Sequence, residues 1–155
     1  MTGHADPAEG RIVVGVDGTT TSAVAVRWAV QEALLRRASV HLVFADDHDR
    51  RRRAPYASLL GTPGRDEVCA AGTALLAVQQ LASQTLPPDR LSAELADGPA
   101  AQVLIDRSVG AELLVLGRAY QAGQSASDTW PPMGPVARAC LQGAACPLVV
   151  MGPCA

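Results

Sequence analysis

The strongest candidate for a binding site in this chain lies between Leu116 and Cys140, in the segment LGRAYQAGQSASDTWPPMGPVARAC. An apolar run ends at Gly117, a long stretch rich in small residues follows, and a helical pattern begins after Gly134. Junctions of this kind bind phosphate, because free N–H groups at a helix N-terminus donate to its oxygens. Tyr120 and Pro135 stand where such a loop favours a glycine and a hydroxyl. The segment therefore predicts an anion site of altered composition.

A second candidate residue is Asp17, which follows the first apolar run and precedes the hydroxyl-rich sequence GTTTS. Its carboxylate either contacts a ligand or caps the following helix, and the two roles are compatible. The basic run DRRRR (49–53) contains four arginines at 50–53. It either clamps an anion or forms a solvated loop, and we favour the loop because neighbouring aspartates offset its charge.

Residues for catalysis or metal binding do not form a recognisable pattern. The chain carries no G-x-S-x-G or P-loop sequence, and no C-x-x-C pair. His41 alternates with apolar neighbours, which favours a packed histidine on a strand face over a general base. Cys140 and Cys146 have apolar surroundings, as buried free thiols do. We predict no catalytic residue and no metal site.

Predicted strands and helices alternate along the chain. Short apolar runs predict strands at 11–17, 39–47, 91–97, 111–117 and 146–151. Helical patterns separate them, at 23–38, 65–84, 98–110 and 135–142. The third run alternates in polarity and predicts a more exposed strand. This order is typical of a three-layer, doubly wound α/β fold with a parallel sheet.

Length and composition restrict the class of protein. A chain of 155 residues fits one domain, which we assign to 11–155 after a disordered leader at 1–10. The net charge of −2 and the five aromatic residues argue against nucleic-acid binding. No apolar run approaches the ~20 residues of a membrane span, and the N-terminus lacks the apolar core of a signal peptide. We therefore expect a cytoplasmic protein without membrane contact.

The last predicted strand, CPLVVM at 146–151, is apolar and uncharged. An uncovered edge strand of this kind invites aggregation. Pairing with the same strand of a second chain is the simplest cover, and two-fold dimers are the commonest assembly. The sequence thus predicts a homodimer formed through this strand.

Three segments together resemble the universal stress protein family. They are RIVVGVDGTTTSAVAVRWAVQEALLRRASVHLVFA, DGPAAQVLIDRSVGAELLVLGR and GPVARACLQGAACPLVVM. The resemblance covers residues 11 to 151 apart from the middle connection and the loop after Gly117. It implies a five-stranded parallel sheet of order 3-2-1-4-5, as in the adenine-nucleotide α-hydrolase-like fold, and frequent dimerisation through the last strand. Many members bind ATP without catalytic machinery, whereas others lack the phosphate loop.

The family's ATP-binding members carry Gly, two residues, Gly, nine residues, then Gly followed by Ser or Thr. Gly117 and Gly134 match the first and last glycines, while Tyr120 and Pro135 depart from the pattern. Sixteen residues, 118–133, separate the two glycines here, against twelve in the family pattern, so the loop is expanded. Gly123 could take over the turn. Proline removes a hydroxyl and an N–H group, so phosphate binding should weaken.

The adenosine side of the site matches the family better. The resemblance places Asp17 near the adenosine, where parallel strand order reverses and ligands bind beyond the strand ends. Ala45 and Leu116 would line the base pocket, and we include Val136 at the start of the last helix.

We carry three hypotheses for function. The first is a non-enzymatic regulatory or scaffold domain in stress response, with weakened or altered nucleotide binding. The second is a sensor that binds ATP or AMP through a rebuilt loop. The third is an enzyme of the adenine-nucleotide hydrolase type, which no base–nucleophile pair supports.

Overall fold

The computed structural model describes residues 10–47, 65–118 and 133–152, with side chains from Ala71 onward in the second range. Several sequence-based predictions concern residues outside these ranges. They are the leader at 1–9, the arginine run 50–53, Gly123, and the loop expansion apart from its two ends at Arg118 and Met133. The last predicted leader residue, Gly10, is described, and its carbonyl accepts a 2.8 Å hydrogen bond from the N–H of Ser39.

Five parallel strands form one sheet in the order β3-β2-β1-β4-β5. They are β1 (Arg11–Val16), β2 (Ser39–Asp46), β3 (Leu91–Asp97), β4 (Leu113–Gly117) and β5 (Leu148–Met151). Within the described ranges four helices alternate with them: α1 (Thr20–Arg36), α2 (Arg65–Ser83), α3 (Ala100–Ser108) and α4 (Pro135–Gly143). A short 3-10 helix, Pro88–Arg90, precedes β3. The predicted fold class and strand order are confirmed.

The two faces of the sheet carry separate apolar cores, which makes three layers. α1 and α2 cover one face, where Val26, Val78 and other small apolar side chains pack against Ile12, Val14 and Leu42. α3 and α4 cover the other, where Leu104 and Cys140 pack against residues such as Val13 and Leu114. Strands that are buried on both faces read as continuous apolar runs, and this is why β1 and β4 could be recognised in the sequence.

Two arginines fasten the C-terminal ends of helices to the sheet. Arg90, just before β3, donates from its guanidinium to the carbonyls of Ala33 and Ala38 at the end of α1. Arg11, which begins β1, donates to the carbonyls of Arg107 and Val109 at the end of α3. A cation is favourable there because the last carbonyls of a helix lack partners and carry partial negative charge.

Several element boundaries differ from the predicted ones by one to three residues, whereas β3 covers the predicted 91–97. α1 begins at Thr20 and not at Ala23, because the Thr19 side chain caps it by accepting from the N–H of Ser22. The predicted strands at 111–117 and 146–151 begin only at Leu113 and Leu148. β3 has one buried residue, Ala96, which confirms the expected exposure of that strand.

Candidate functional site

A cleft opens at the carboxyl ends of β1 and β4, where the strand order reverses. In α/β sheets of this kind ligands bind at that position. About 730 Å³ of empty space, part of it open solvent, lies in the cleft and its mouth. Six of the seven sequence-predicted binding residues line it: Asp17, Ala45, Leu116, Gly117, Gly134 and Val136. The structure thus brings these six together, and their role in binding stays a prediction.

The exposed carboxylate of Asp17 is held by the turn that leads into α1. Its Oδ1 accepts from the N–H of Thr19 at 3.0 Å and from the hydroxyl of Thr19 at 2.5 Å. Thr19, and not Asp17, is the N-cap residue of α1. Asp17 therefore supports the cap from two residues before it, and because these bonds use Oδ1, Oδ2 stays available to a ligand.

Close packing, and not an unusual backbone angle, excludes a side chain at Gly117. A β-carbon at this position would lie 2.6 Å from the carbonyl carbon of Thr21 and 2.7 Å from the nitrogen of Ser22. The end of β4 therefore packs directly on the backbone of the first turn of α1. Neither Gly117 nor Gly134, whose φ is −61°, has a positive φ; among the described glycines a positive φ occurs at Gly18, Gly98 and Gly110.

The N-terminus of α4 forms the far side of the cleft. Gly134 is the N-cap residue without a side-chain cap, and Pro135 is the first helical residue. The carbonyl of Gly134 accepts from the N–H of Arg138 at 3.0 Å, as in the first turn of a helix. Because Pro135 has no N–H, the next donors toward the cleft are the N–H groups of Val136 and Ala137.

Three helices direct their N-terminal ends toward the cleft. Ser22 of α1, Ala100 of α3 and Val136 of α4 all line it. α3, like α4, begins without a side-chain cap at its N-cap residue, Pro99. Helix N-termini carry partial positive charge, so together they favour an anionic group in the cleft.

The wall of the cleft is otherwise apolar. Among its described residues, only Asp17 and Ser22 have polar side chains, and the Ser22 hydroxyl donates to the carbonyl of Thr19 at 2.8 Å. Sequence reasoning missed Ser22 and Gly15, whose β-carbon would lie 2.5 Å from a methyl group of Leu116. Ser22 ends the hydroxyl-rich sequence GTTTS, but that sequence did not place it in the site, because both residues enter the site through helix and strand packing.

Cys140 and Cys146, the two cysteines whose side chains the structure describes, do not resemble a reactive or metal-binding pair. Cys140 is fully buried and Cys146 is half-buried, and both are free thiols. Burial raises the pKa of each thiol, although Arg11 partly opposes this at Cys146. No cluster of three or more potential metal ligands occurs within the described part of the chain.

The sequence of this chain matches a known protein family. Residues 10–152 match the universal stress protein family model, and the chain belongs to this family. It is 28% identical to universal stress protein Rv2624c of Mycobacterium tuberculosis over 97% of its own length and 51% of the relative. Universal stress protein Rv2623 of the same organism is 30% identical over 90% of this chain and 46% of the relative. The chain spans about half the length of the curated relatives it matches.

Solved structures of the same family share the fold. The universal stress protein UspA from Lactobacillus plantarum superposes with a TM-score of 0.72 at 20% identity, covering 94% of this chain and 99% of that chain. A universal stress protein in complex with cAMP gives 0.64 at 21% identity, covering 94% and 98%. One from Archaeoglobus fulgidus in complex with dAMP gives 0.64 at 18%, covering 94% and 99%. None of the helices in the described ranges is long and apolar enough to cross a membrane.

Proposed function

We propose that this chain is a non-enzymatic regulatory domain. Its cleft binds the adenosine part of an adenine nucleotide and binds the phosphates weakly. The observation that carries the proposal is the cleft at the strand-order reversal, with Asp17 at its edge and an apolar wall that includes Ala45 and Leu116. A flat heterocycle fits an apolar wall, while a carboxylate oxygen accepts from a ribose hydroxyl. The cAMP and dAMP bound by two family members support an adenine nucleotide as the ligand.

The phosphate side favours a nucleotide with few phosphates. Pro135 removes the first N–H of α4, which leaves Val136 and Ala137 as the donors of that helix toward the cleft. Each hydrogen bond to a charged group contributes about 1.5–3 kcal/mol. Losing the N–H and the hydroxyl of the family's Ser or Thr therefore lowers ATP affinity more than AMP affinity. This is the weakened, altered binding that the sequence predicts.

Binding without turnover follows from the side chains of the cleft. Ser22 uses its hydroxyl within the first turn of α1, and Asp17 is held by Thr19, so neither is paired with a base there. A nucleophile without a base is weak at neutral pH. We therefore expect bound nucleotide to be recovered intact, which chromatography of a long incubation would measure.

Isothermal titration with AMP and then ATP, with magnesium present, tests the proposal. We expect AMP to bind more tightly than ATP, and Asp17→Asn to weaken AMP because it removes the carboxylate charge. Asp89→Asn is the matched control, because Asp89 is exposed in the 3-10 helix that leads into the opposite end of β3. The absence of binding heat with both nucleotides, in protein free of carried-over ligand, would reject nucleotide binding and leave a scaffold domain. Tighter binding of ATP would reject the weak phosphate grip.

We further propose that the functional unit is a homodimer formed through β5. The strand is the edge of the sheet beside β4, and all four of its residues are half-buried in the isolated chain. Pairing with a second copy would cover this apolar edge.

A further inference from the structure

A second group of polar side chains lies on the sheet face that α3 and α4 cover. His41 of β2 stands opposite Ser92 of β3 in the parallel register, and Glu94 follows two residues later on the same face. Arg107, near the end of α3, reaches this group from above the sheet. His41 lies toward the start of β2, whereas the cleft begins at Val43 and Ala45 near its end. The group is thus separate from the cleft residues.

The hydrogen bonds in this group form a continuous relay. Ser92 Oγ lies 2.7 Å from His41 Nδ1, and His41 Nε2 lies 2.9 Å from Glu94 Oε2. Arg107 pairs with both carboxylate oxygens through Nε and Nη2. Hydrogen bonds from Arg107 and then His41 hold the pKa of Glu94 at about 2, so this carboxylate is ionised at neutral pH.

The ionised carboxylate fixes the proton of the imidazole. Glu94 can only accept hydrogen bonds, so Nε2 of neutral His41 must carry the hydrogen. In this neutral tautomer Nδ1 has a free lone pair, which accepts a hydrogen bond from the Ser92 hydroxyl 2.7 Å away. A serine hydroxyl that donates to a histidine held by a carboxylate is the arrangement that activates a serine nucleophile.

We propose that Ser92 is a reactive serine that takes up an acyl group from activated acyl donors such as esters, thioesters or acyl phosphates. Ser92 Oγ attacks the acyl carbon, its proton passes to Nδ1 of His41, and the leaving group departs with the electron pair of the broken bond. The imidazolium then returns the proton to the leaving group or to water. The products are O-acyl Ser92 and the free alcohol, thiol or phosphate.

Access and charge suit a stoichiometric modification. Ser92 is exposed on an edge strand, while the His41 side chain is 17% exposed and the Glu94 side chain 28% exposed. Arg107 neutralises much of the charge of Glu94, so the imidazolium is stabilised less than beside an unpaired carboxylate. We therefore expect reaction with activated donors and a smaller rate enhancement than in a hydrolase.

The test uses the intact protein and p-nitrophenyl acetate. All 13 basic residues among Lys and Arg are arginines, so lysine acetylation cannot obscure the result. Cleavage after arginine releases residues 91–107, in which Ser92 is the only hydroxyl or thiol side chain. Ser83 is an internal control, because it is exposed and its hydroxyl donates to the carbonyl of Gln80 at 2.8 Å, with no base. We expect Ser92 to acetylate at least about tenfold faster than Ser83 by mass spectrometry.

Two variants separate base assistance from simple exposure. His41→Asn places an amide oxygen where Nδ1 accepts the hydrogen bond but removes the base, so the Ser92 rate should fall to that of Ser83. Glu94→Gln should lower it several-fold, and circular dichroism checks that both variants fold. Equal rates at Ser92 and Ser83 in the unaltered protein would overturn the proposal. So would a fast Ser92 that His41→Asn leaves unchanged.

Discussion

Gly117 at the end of β4 lies against the backbone of Thr21, so close that a β-carbon on Gly117 would come within 2.6 Å of the Thr21 carbonyl carbon. Here the main chain of β4 packs directly against the main chain of α1, with no side chain of Gly117 between them. The contact fixes the first turn of α1 against β4, and this junction lies beside the cleft. A glycine that family resemblance assigns to phosphate binding therefore has a packing role as well.

Gly117→Ala should destabilise the protein by about 1–3 kcal/mol, because the added methyl group overlaps backbone atoms that cannot rotate away. Thermal or urea unfolding would measure the loss. Gly72→Ala is the matched control: a β-carbon there meets nothing within 4 Å, and alanine favours the helix that contains it. Equal stability of the Gly117→Ala variant and the unaltered chain would contradict the close contact.

Pro135→Ser should tighten ATP binding, since serine restores an N–H and a hydroxyl at the first position of α4. One recovered hydrogen bond to phosphate is worth about tenfold or more in affinity. Titration calorimetry would compare this variant with Pro87→Ser, which changes an exposed proline next to the 3-10 helix before β3. ATP affinity that is the same in both variants would rule out Pro135 as the cause of weak phosphate binding.

Val150→Pro should convert the proposed dimer into a monomer. The carbonyl of Pro147 accepts from the N–H of Leu114 in β4, and that of Met151 accepts from the N–H of Arg118 just after it. In a parallel strand residues 148 and 150 therefore direct their backbone groups outward. Proline at 150 removes an outward N–H without breaking the pairing with β4. Light scattering would give the mass, with Val150→Ala as a control that keeps the N–H. A dimer that persists in the proline variant would place the interface elsewhere.

Acid should remove a stabilising contribution of Glu94. The pKa of its carboxyl falls from 4.5 to about 2 in the folded protein, so the contribution is complete above pH 4.5 and disappears between there and about pH 2. Its upper limit is about 3 kcal/mol, reduced by partial solvent exposure. Urea unfolding across this range should show a shallower pH dependence for Glu94→Gln. Identical slopes would mean that the ion pair with Arg107 does not stabilise the fold.

The fold could be predicted from the sequence because its core strands are buried on both faces. β1 and β4 are continuous apolar runs, and helical patterns separate them from their neighbours. Boundaries were less certain because hydrogen bonds between residues set them. The Thr19 side chain caps α1 by accepting a hydrogen bond from the N–H of Ser22, and the periodicity of apolar residues does not indicate that bond.

The candidate site could be predicted only in part, for a related reason. Asp17 and Gly117 stand at recognisable junctions in the sequence, so motif reasoning reached them. Ser22 enters the cleft through the packing of α1. Ser92 contacts His41 on the neighbouring strand, although the two residues are 51 positions apart in the sequence. Contacts of that separation depend on strand register, which only the assembled sheet defines.

The strand order has a consequence for how the chain folds as it leaves the ribosome. β1 is central, yet its two neighbours emerge far apart in time: β2 follows one helix later, whereas β4 begins about a hundred residues after β1, at Leu113. At about 5–20 residues per second, the nascent β1 spends several seconds with one apolar edge unpaired. The docking of β4 closes that edge, and the cleft is complete only once the N-terminus of α4 has followed. A ligand of the cleft can therefore bind the complete site only after residues up to Ala137 have been synthesised and folded.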